Sequence, residues 1–304
     1  MHLIVAFAAP LSDAGRAALS QQAAPQLARW LAEAVETGRD VADASSPVPP
    51  HERARARALG WGDDADAPLP WAARLAAQDG IAVADAAWGL LSPAHWRVGA
   101  DAVHLADPRT LDLDAEASRE LFDAVQPLFD SEGVALAWGA PLRWYASHPS
   151  LAGLATASLD RVVGRNVDRW LPRQPQARLM RRLQSEVQMR LHDHPVNAAR
   201  EAEGRPAVNS FWLSGCGVRR AEAANDAELD ERLSVPALAE DWPAWGAAFD
   251  ELDAALASRA PTQMTLCGER GSVTYRTRPR SWWQRLAARL PRSRAAAHAW
   301  AEAL

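Results

Sequence analysis

The stretch LHDHPVNAAREAEGRPAVNSFWLSGCG, residues 191–217, decides the fold class. It begins at the end of an amphipathic helix predicted over residues 177–191, in which Leu179, Leu183, Val187 and Leu191 recur every four positions. Pro195 limits that helix, because a residue before proline is pushed out of the helical region. A second helix is predicted over residues 195–203, with proline at its start and Gly204 just past its end. Residues 207–213 then read as a buried strand that enters a glycine turn, SGCG. Helices and a buried strand following one another so closely indicate an α/β fold.

The flanking sequence extends the same pattern. Upstream, residues 81–88 and 97–105 read as strands, and Asp112 or Asp114 can cap a helix that buries Leu121, Phe122 and Val125. Residues 134–138 and 142–146 read as two strands joined by the Gly139-Ala140-Pro141 turn, followed by a short arginine-rich helix within residues 155–170. At the N-terminus a strand is predicted over residues 2–8 and a helical pattern over residues 12–37, with Leu19, Leu27, Trp30, Leu31 and Val35 as its apolar face. SSPVPP, residues 45–50, punctuates the chain before an arginine-rich helix at 52–59 and a polar loop at 61–70. Downstream, a helix is predicted over residues 241–257, then a hairpin of 263–266 and 272–276, then a basic helical tail at 281–304. The expected class is α/β, a mixed β-sheet flanked by helices, in three segments: 1–75, 76–217 and 218–304.

Composition bounds the chemistry. The 304 residues are 48% hydrophobic and 23% charged, proportions that support a packed core rather than disorder. No lysine is present, which excludes Schiff-base and P-loop chemistry, and alanine supplies about a fifth of the chain. A net charge of −5 argues against a general nucleic-acid binder. Two cysteines make no disulfide framework, the apolar run at residues 3–10 reads as a strand rather than a signal peptide, and no stretch approaches the roughly 20 apolar residues of a membrane span. A cytoplasmic location is expected. The 14 tryptophans are spread from Trp30 to Trp300, which suits packing better than a single binding site.

Two polar clusters are candidates for ligand contact. In the first, His192, Asp193, His194, Asn197, Arg200 and Asn209 surround two helix termini and a strand start. The helix N-terminus near Pro195 offers unpaired N–H groups and partial positive charge to an anion, and Arg200 lies one turn further on. The structural alternative is that Asp193 caps the helix while Asn197 and Asn209 satisfy loop backbone. His192 and His194 resemble a metal-ligand pair by spacing, although zinc needs further ligands, and solvated or capping histidines are the simpler reading. The second cluster is SLDRVVGRN, with Ser158, Asp160, Arg161, Arg165 and Asn166; two arginines four apart share a helix face and can clamp a phosphate or carboxylate. Its alternative is an exposed ion-pair face formed with Asp160 and Asp168. Arg143 is a third candidate cation. Cys216 has no evident base partner, and Trp282 and Trp283 in the tail are expected to pack onto the body.

The motif HPVNAAREAEGRPAVNSFWLSGCG resembles the His-Pro-Val-Asn, Arg, Gly, Asn and strand-Gly-x-Gly signature of the archaeal-type cofactor-independent phosphoglycerate mutases of the alkaline phosphatase superfamily. HWRVGADAVHLADP, RWYASHPSLAGLATASLDRVVGRN and LQSEVQMRLHDHPVN are similar to the small bacterial branch that includes RpfE-type regulatory proteins, so the likeness spans about residues 95–217. The resemblance implies a mutase-like α/β fold and a pocket for a phosphorylated substrate. It also implies a two-metal centre and a Ser or Thr nucleophile, and here the sequence departs from it. The first strand runs into AAPLSDAG without a metal-binding aspartate-glycine motif, and beyond Gly217 the only histidine is His298. The expectation is therefore a degenerate phosphatase portion with no catalytic residues, no cofactor and no metal. Such a protein would bind a small anionic metabolite, phosphorylated or carboxylated, through Arg143, Asp160, Arg161, Arg165, Asn166, His192, His194, Asn197, Arg200 and Asn209. A regulatory role and a protein partner are compatible with this. The alternatives are an active mutase or phosphatase with unrecognised ligands, and a structural or interaction module.

Overall fold

The computed structural model describes residues 1–62, 67–223, 227–277 and 300–301. In chain order its elements are β1 (His2–Ala9), α1 (Asp13–Gln21), α2 (Pro25–Ala32), β2 (Ala34–Val41), α3 (Pro50–Ala58), α4 (Trp71–Gln78), β3 (Ala87–Ala94), β4 (Trp96–Val98) and β5 (Val103–Leu105). There follow α5 (Ala115–Asp130), β6 (Ala135–Ala140), β7 (Arg143–Ser147), α6 (Leu159–Val162), α7 (Arg178–His192), α8 (Pro195–Ala202) and β8 (Ser210–Val218). The chain ends with β9 (Glu228–Asp230), α9 (Ser234–Leu238), α10 (Trp242–Arg259), β10 (Gln263–Gly268) and β11 (Gly271–Thr277). This is an α/β protein with mixed sheet and flanking helices. It forms two compact units: Met1–Ala65 with Glu222–Leu304, and Asp66–Ala221.

The first unit is built on a five-stranded sheet in the order β2-β11-β10-β1-β9. β1 runs parallel to β10 and β9, whereas β11 is antiparallel to both β10 and β2. Alternation along the strands sends Leu3, Val5, Met264, Leu266 and Val273 into one core with Leu27 of α2 and Trp245 and Phe249 of α10. Ala24 at the start of α2 provides no side-chain cap; instead the buried Asp253 of α10 accepts from the N–H groups of Gln26 (3.1 Å) and Leu27 (2.7 Å). On the opposite face Ala54 of α3 packs on Ile4 and Cys267.

The helix expected over residues 12–37 is two helices and a strand. Pro25 starts a new helix after Ala24, which adopts a left-handed φ of 41°. β2 follows as an edge strand, AVETGRDV, largely exposed and without an apolar alternation to announce it.

The second unit carries an antiparallel sheet in the order β6-β7-β3-β8. Leu121, Phe122 and Val125 of α5 and Leu183, Val187 and Leu191 of α7 pack with Trp144 and Phe211 on one face. Ala72, Ala73 and Ala76 of α4 pack on Trp88 and Tyr145 on the other. The strand expected over 97–105 is the small hairpin β4-β5, and that expected at 81–88 begins later, at Ala87, because Val83 packs against α4. SGCG is not a turn: β8 continues through it with an irregular register opposite Trp88 and Leu90. Gly215 has φ +62°, and a Cβ there would stand 3.0 Å from the backbone N of Ala72, so glycine also permits the close approach of α4. The helical tail expected at 281–304, with Trp282 and Trp283, lies outside the described residues apart from 300–301.

Candidate functional site

The conspicuous polar signature of residues 191–209 forms the joint between α7, α8 and β8. Asn197 is buried to 1% exposure; its amide N donates to the carbonyls of Leu191 (2.8 Å) and Val208 (2.9 Å), and its Oδ1 accepts from the N–H of Val208 (2.8 Å). Arg200, equally buried, donates to the carbonyl of Pro206 (2.9 Å) and to that of Leu111. Burial holds its pKa below the usual arginine value. Asn209 accepts from the N–H of Trp96 (2.7 Å) and donates to the same residue's carbonyl (3.0 Å), fixing the exit of β3. His194 is the N-cap of α8, its Nδ1 accepting from Val196 at 3.3 Å, and His192 is exposed beside Asp193. Where the sequence suggests ligand contacts from Asn197, Arg200 and Asn209, their polar atoms are bonded to backbone.

The second predicted cluster lies beside the segment at residues 104–111. Leu105 bridges to Val163, His104 bridges to Asn166, and Asp160 pairs with Arg109 at 3.4 Å. Arg161 is buried, Arg165 is half-buried, and the Asn166 side chain accepts from the N–H of Asp168 (2.9 Å). Arg200 reaches the same segment through Leu111, so the two clusters share a neighbour. Arg143 does not join them. It faces the side of the sheet covered by α4 and donates two bonds to Asp79 (2.9 and 2.8 Å), which also accepts from the Tyr145 hydroxyl (2.6 Å). The Arg143 guanidinium, aided by Tyr145, holds the Asp79 carboxyl below its ordinary range. Burial pushes the Cys216 thiol up to about 12, which leaves no thiolate at neutral pH.

A concavity of about 540 Å³, within the usual range for a small-molecule site, opens instead in the first unit on the sheet face that α3 only partly covers. Its floor is a polar line across three adjacent strands. His2 Nε2 of β1 is 2.8 Å from Thr265 Oγ1 of β10, which is 2.9 Å from Thr274 Oγ1 of β11. Burial, with help from the N-terminal ammonium and Arg276, lowers the His2 pKa to about 4, so the ring is neutral at neutral pH. Thr37 and Gln263 add further hydrogen-bonding side chains to the lining.

The charged wall comes from β2 and α3. Asp40 Oδ2 accepts from Arg53 Nε and from Arg57 Nη2, both at 2.8 Å. Burial alone would raise the Asp40 pKa, but the two arginines hold it below the ordinary carboxylate range. Arg53 is buried and spends its remaining donors on the carbonyls of Val48 and Arg270. Arg57 is 31% exposed at the pocket, so one carboxylate stands between two cations and leaves one positive charge in surplus. Arg39, also in the lining, is matched by a bidentate bond to Glu36 (3.0 and 2.9 Å).

The site is not legible in the sequence because its residues come from five separate elements. The one available signal was polar residues at alternate positions of β10 and β11, in strands whose other face is core.

The mutase resemblance implies metal-binding residues at the end of β1. There Ser12 Oγ caps α1 by accepting from the N–H of Gly15 (3.1 Å), and the Asp13 carboxylate is fully exposed and paired with Arg16. That donor set does not fit a divalent metal pair. No protein-family model matches the chain, and no curated protein matches it. Among solved structures, the chain is similar to a cofactor-independent phosphoglycerate mutase from Thermoplasma acidophilum, with a TM-score of 0.40 at 16% identity over 91% of this chain and 89% of that one. It is also similar to the PH0037 protein from Pyrococcus horikoshii, with a TM-score of 0.46 at 12% identity over 91% of this chain and 87% of that one.

Proposed function

We propose that this is a cytoplasmic, non-catalytic protein that binds a small phosphorylated or carboxylated metabolite without metal, in the concavity of the first unit. The observation that carries the reading is the surplus positive charge of Arg57, held at the wall of a cavity floored by His2, Thr265 and Thr274. An anion there gains a charge-assisted bond from Arg57 and orienting bonds from uncharged side chains. The mutase-like character rests on the signature at residues 191–217, which supports ancestry rather than chemistry, since its buried polar groups serve the α7–α8–β8 joint. Arg161, Arg165 and His192 belong to the second unit, whereas the lining of this concavity comes from the first. A regulatory role of the RpfE type would follow if occupancy altered a surface that meets a partner.

The test is a thermal-shift and calorimetric screen of phosphorylated and carboxylated metabolites against the full chain, Arg57→Gln and Thr265→Val. Binding that is lost in both variants is expected. Binding indifferent to both would place the site elsewhere, and mutase turnover with manganese or zinc would overturn the non-catalytic reading.

A further inference from the structure

The charge balance and hydrogen-bonding inventory of the first unit's pocket narrow the ligand class, an inference that rests on the binding reading above. Among its charged lining residues Arg39 is neutralised by Glu36, and Asp40 is balanced by Arg53. Arg57 therefore supplies one uncompensated positive charge, with the Asp40 carboxylate 2.8 Å from its Nη2. A single anionic group can approach Arg57. A second negative charge beside Arg57 would meet Asp40; the other cations near the lining act on β1 and β10, where the N-terminal ammonium and Arg276 influence His2 and Arg276 bonds Gln263.

The remainder of the lining is uncharged but polar. His2, Thr37, Gln263, Thr265 and Thr274 present hydroxyl, amide and neutral imidazole groups, each able to donate and to accept. Such a surface rewards ligand hydroxyls, which also do both, and penalises a bare hydrocarbon chain that would strip these groups of water without replacing their bonds. Among the described residues no aromatic side chain other than the His2 ring lines the cavity, so they offer no broad stacking platform for a nucleobase.

We infer that the pocket takes a singly charged polyhydroxylated acid, of the sugar-acid class, with its carboxylate at Arg57 and its hydroxyls along the His2–Thr265–Thr274 line. A phosphate monoester carries about −1.5 to −2 at neutral pH and is disfavoured by the same charge balance.

The experiment is calorimetric titration of the full chain with four probes: D-gluconate, hexanoate, succinate and D-glucose 6-phosphate. Gluconate is expected to bind at least about tenfold more tightly than each of the others, and Arg57→Gln and Thr274→Val each to weaken it by about tenfold or more. Glu36 is exposed, so Glu36→Gln releases Arg39 with little risk to folding and is expected to shift preference towards glucose 6-phosphate. If glucose 6-phosphate binds the unmodified protein as well as gluconate does, with the same dependence on Arg57, the sugar-acid class is wrong while the pocket stands. If no probe binds, or binding survives both Arg57→Gln and Thr274→Val, the inference and the pocket reading fall together.

Discussion

Asn197 and Val208 exchange two hydrogen bonds: the side-chain carbonyl of Asn197 accepts from the Val208 N–H at 2.8 Å, and its amide N donates to the Val208 carbonyl at 2.9 Å. The side chain thus serves as a strand partner for a residue that precedes β8 and has no neighbouring strand to pair with. Asn209 likewise exchanges two bonds with the backbone of Trp96, the first residue of β4. Two asparagines that look like ligand contacts in the sequence are substitutes for backbone.

Asn197→Ala is expected to cost about 2–4 kcal/mol, because it leaves the buried N–H and C=O groups of Val208 without the side chain that pairs them and removes one of the bonds to the Leu191 carbonyl. Asn197→Asp should be no better, since it turns an acceptor towards the two carbonyls that now receive N–H bonds. Urea denaturation checks both. A loss below about 1 kcal/mol for Asn197→Ala would show that water replaces the amide at the joint.

Ser118 is expected to behave as a small hub. Its buried Oγ accepts from the indole N–H groups of Trp138 and Trp144, each at 3.1 Å, and donates to the Pro141 carbonyl at 2.8 Å. Ser118→Ala removes all three bonds and should destabilise the protein by about 1–3 kcal/mol, with a change in near-ultraviolet circular dichroism from the buried Trp144. An unchanged spectrum with unchanged stability would rule out the hub.

The pH dependence follows from His2. Its folded pKa of about 4 lies below the unfolded value of 6.5, so the unfolded chain binds more protons between these limits. The contribution of neutral His2 to stability is therefore present above about pH 6.5, declines as pH falls and is gone below about pH 4. Asp40 and Asp79, whose pKa values are depressed by arginine partners, lose their contributions as pH falls through and below the ordinary carboxylate range. His2→Gln should flatten the decline between pH 6.5 and 4 in denaturation midpoints, leaving the more acidic limb in place. An identical profile in the variant would mean that His2 does not titrate in this way.

What could be read from the sequence divides along physical lines. Helices α7 and α8, the β6-β7 hairpin and the β10-β11 hairpin were legible because burial on one face imposed a period, and proline or glycine marked their ends. β2 was not, because an exposed edge strand has no buried face to impose one. Nor was the course of β8 through SGCG, where glycine serves a bulge and a helix contact rather than a turn. The clusters at residues 158–166 and 191–209 were visible as concentrations of polar side chains, but sequence cannot show whether an amide faces ligand or backbone. The pocket was invisible for the opposite reason: His2, Asp40, Arg57 and Thr265 look like ordinary strand and helix residues until the sheet order brings them together.

Gly139 tests whether the Asp79–Arg143 pair fixes the α4 side of the second unit's sheet. A Cβ at this position would run into Asp79 Oδ2 and stand 2.6 Å from Tyr145 Cε2. Neither atom can yield freely, since Asp79 accepts two bonds from Arg143 and one from the Tyr145 hydroxyl, and Tyr145 is buried against α4. Gly139→Ala should therefore cost about 1–3 kcal/mol through displacement of that network. In an Asp79→Ala background the carboxylate is gone and only the Tyr145 contact opposes the new methyl group, so the same substitution should cost measurably less. The quantity to measure is the coupling between the two substitutions in a double-mutant cycle, expected at about 0.5 kcal/mol or more. Strict additivity would mean that the backbone at Gly139 relaxes away from Asp79, and that the ion pair is not what holds α4 in place.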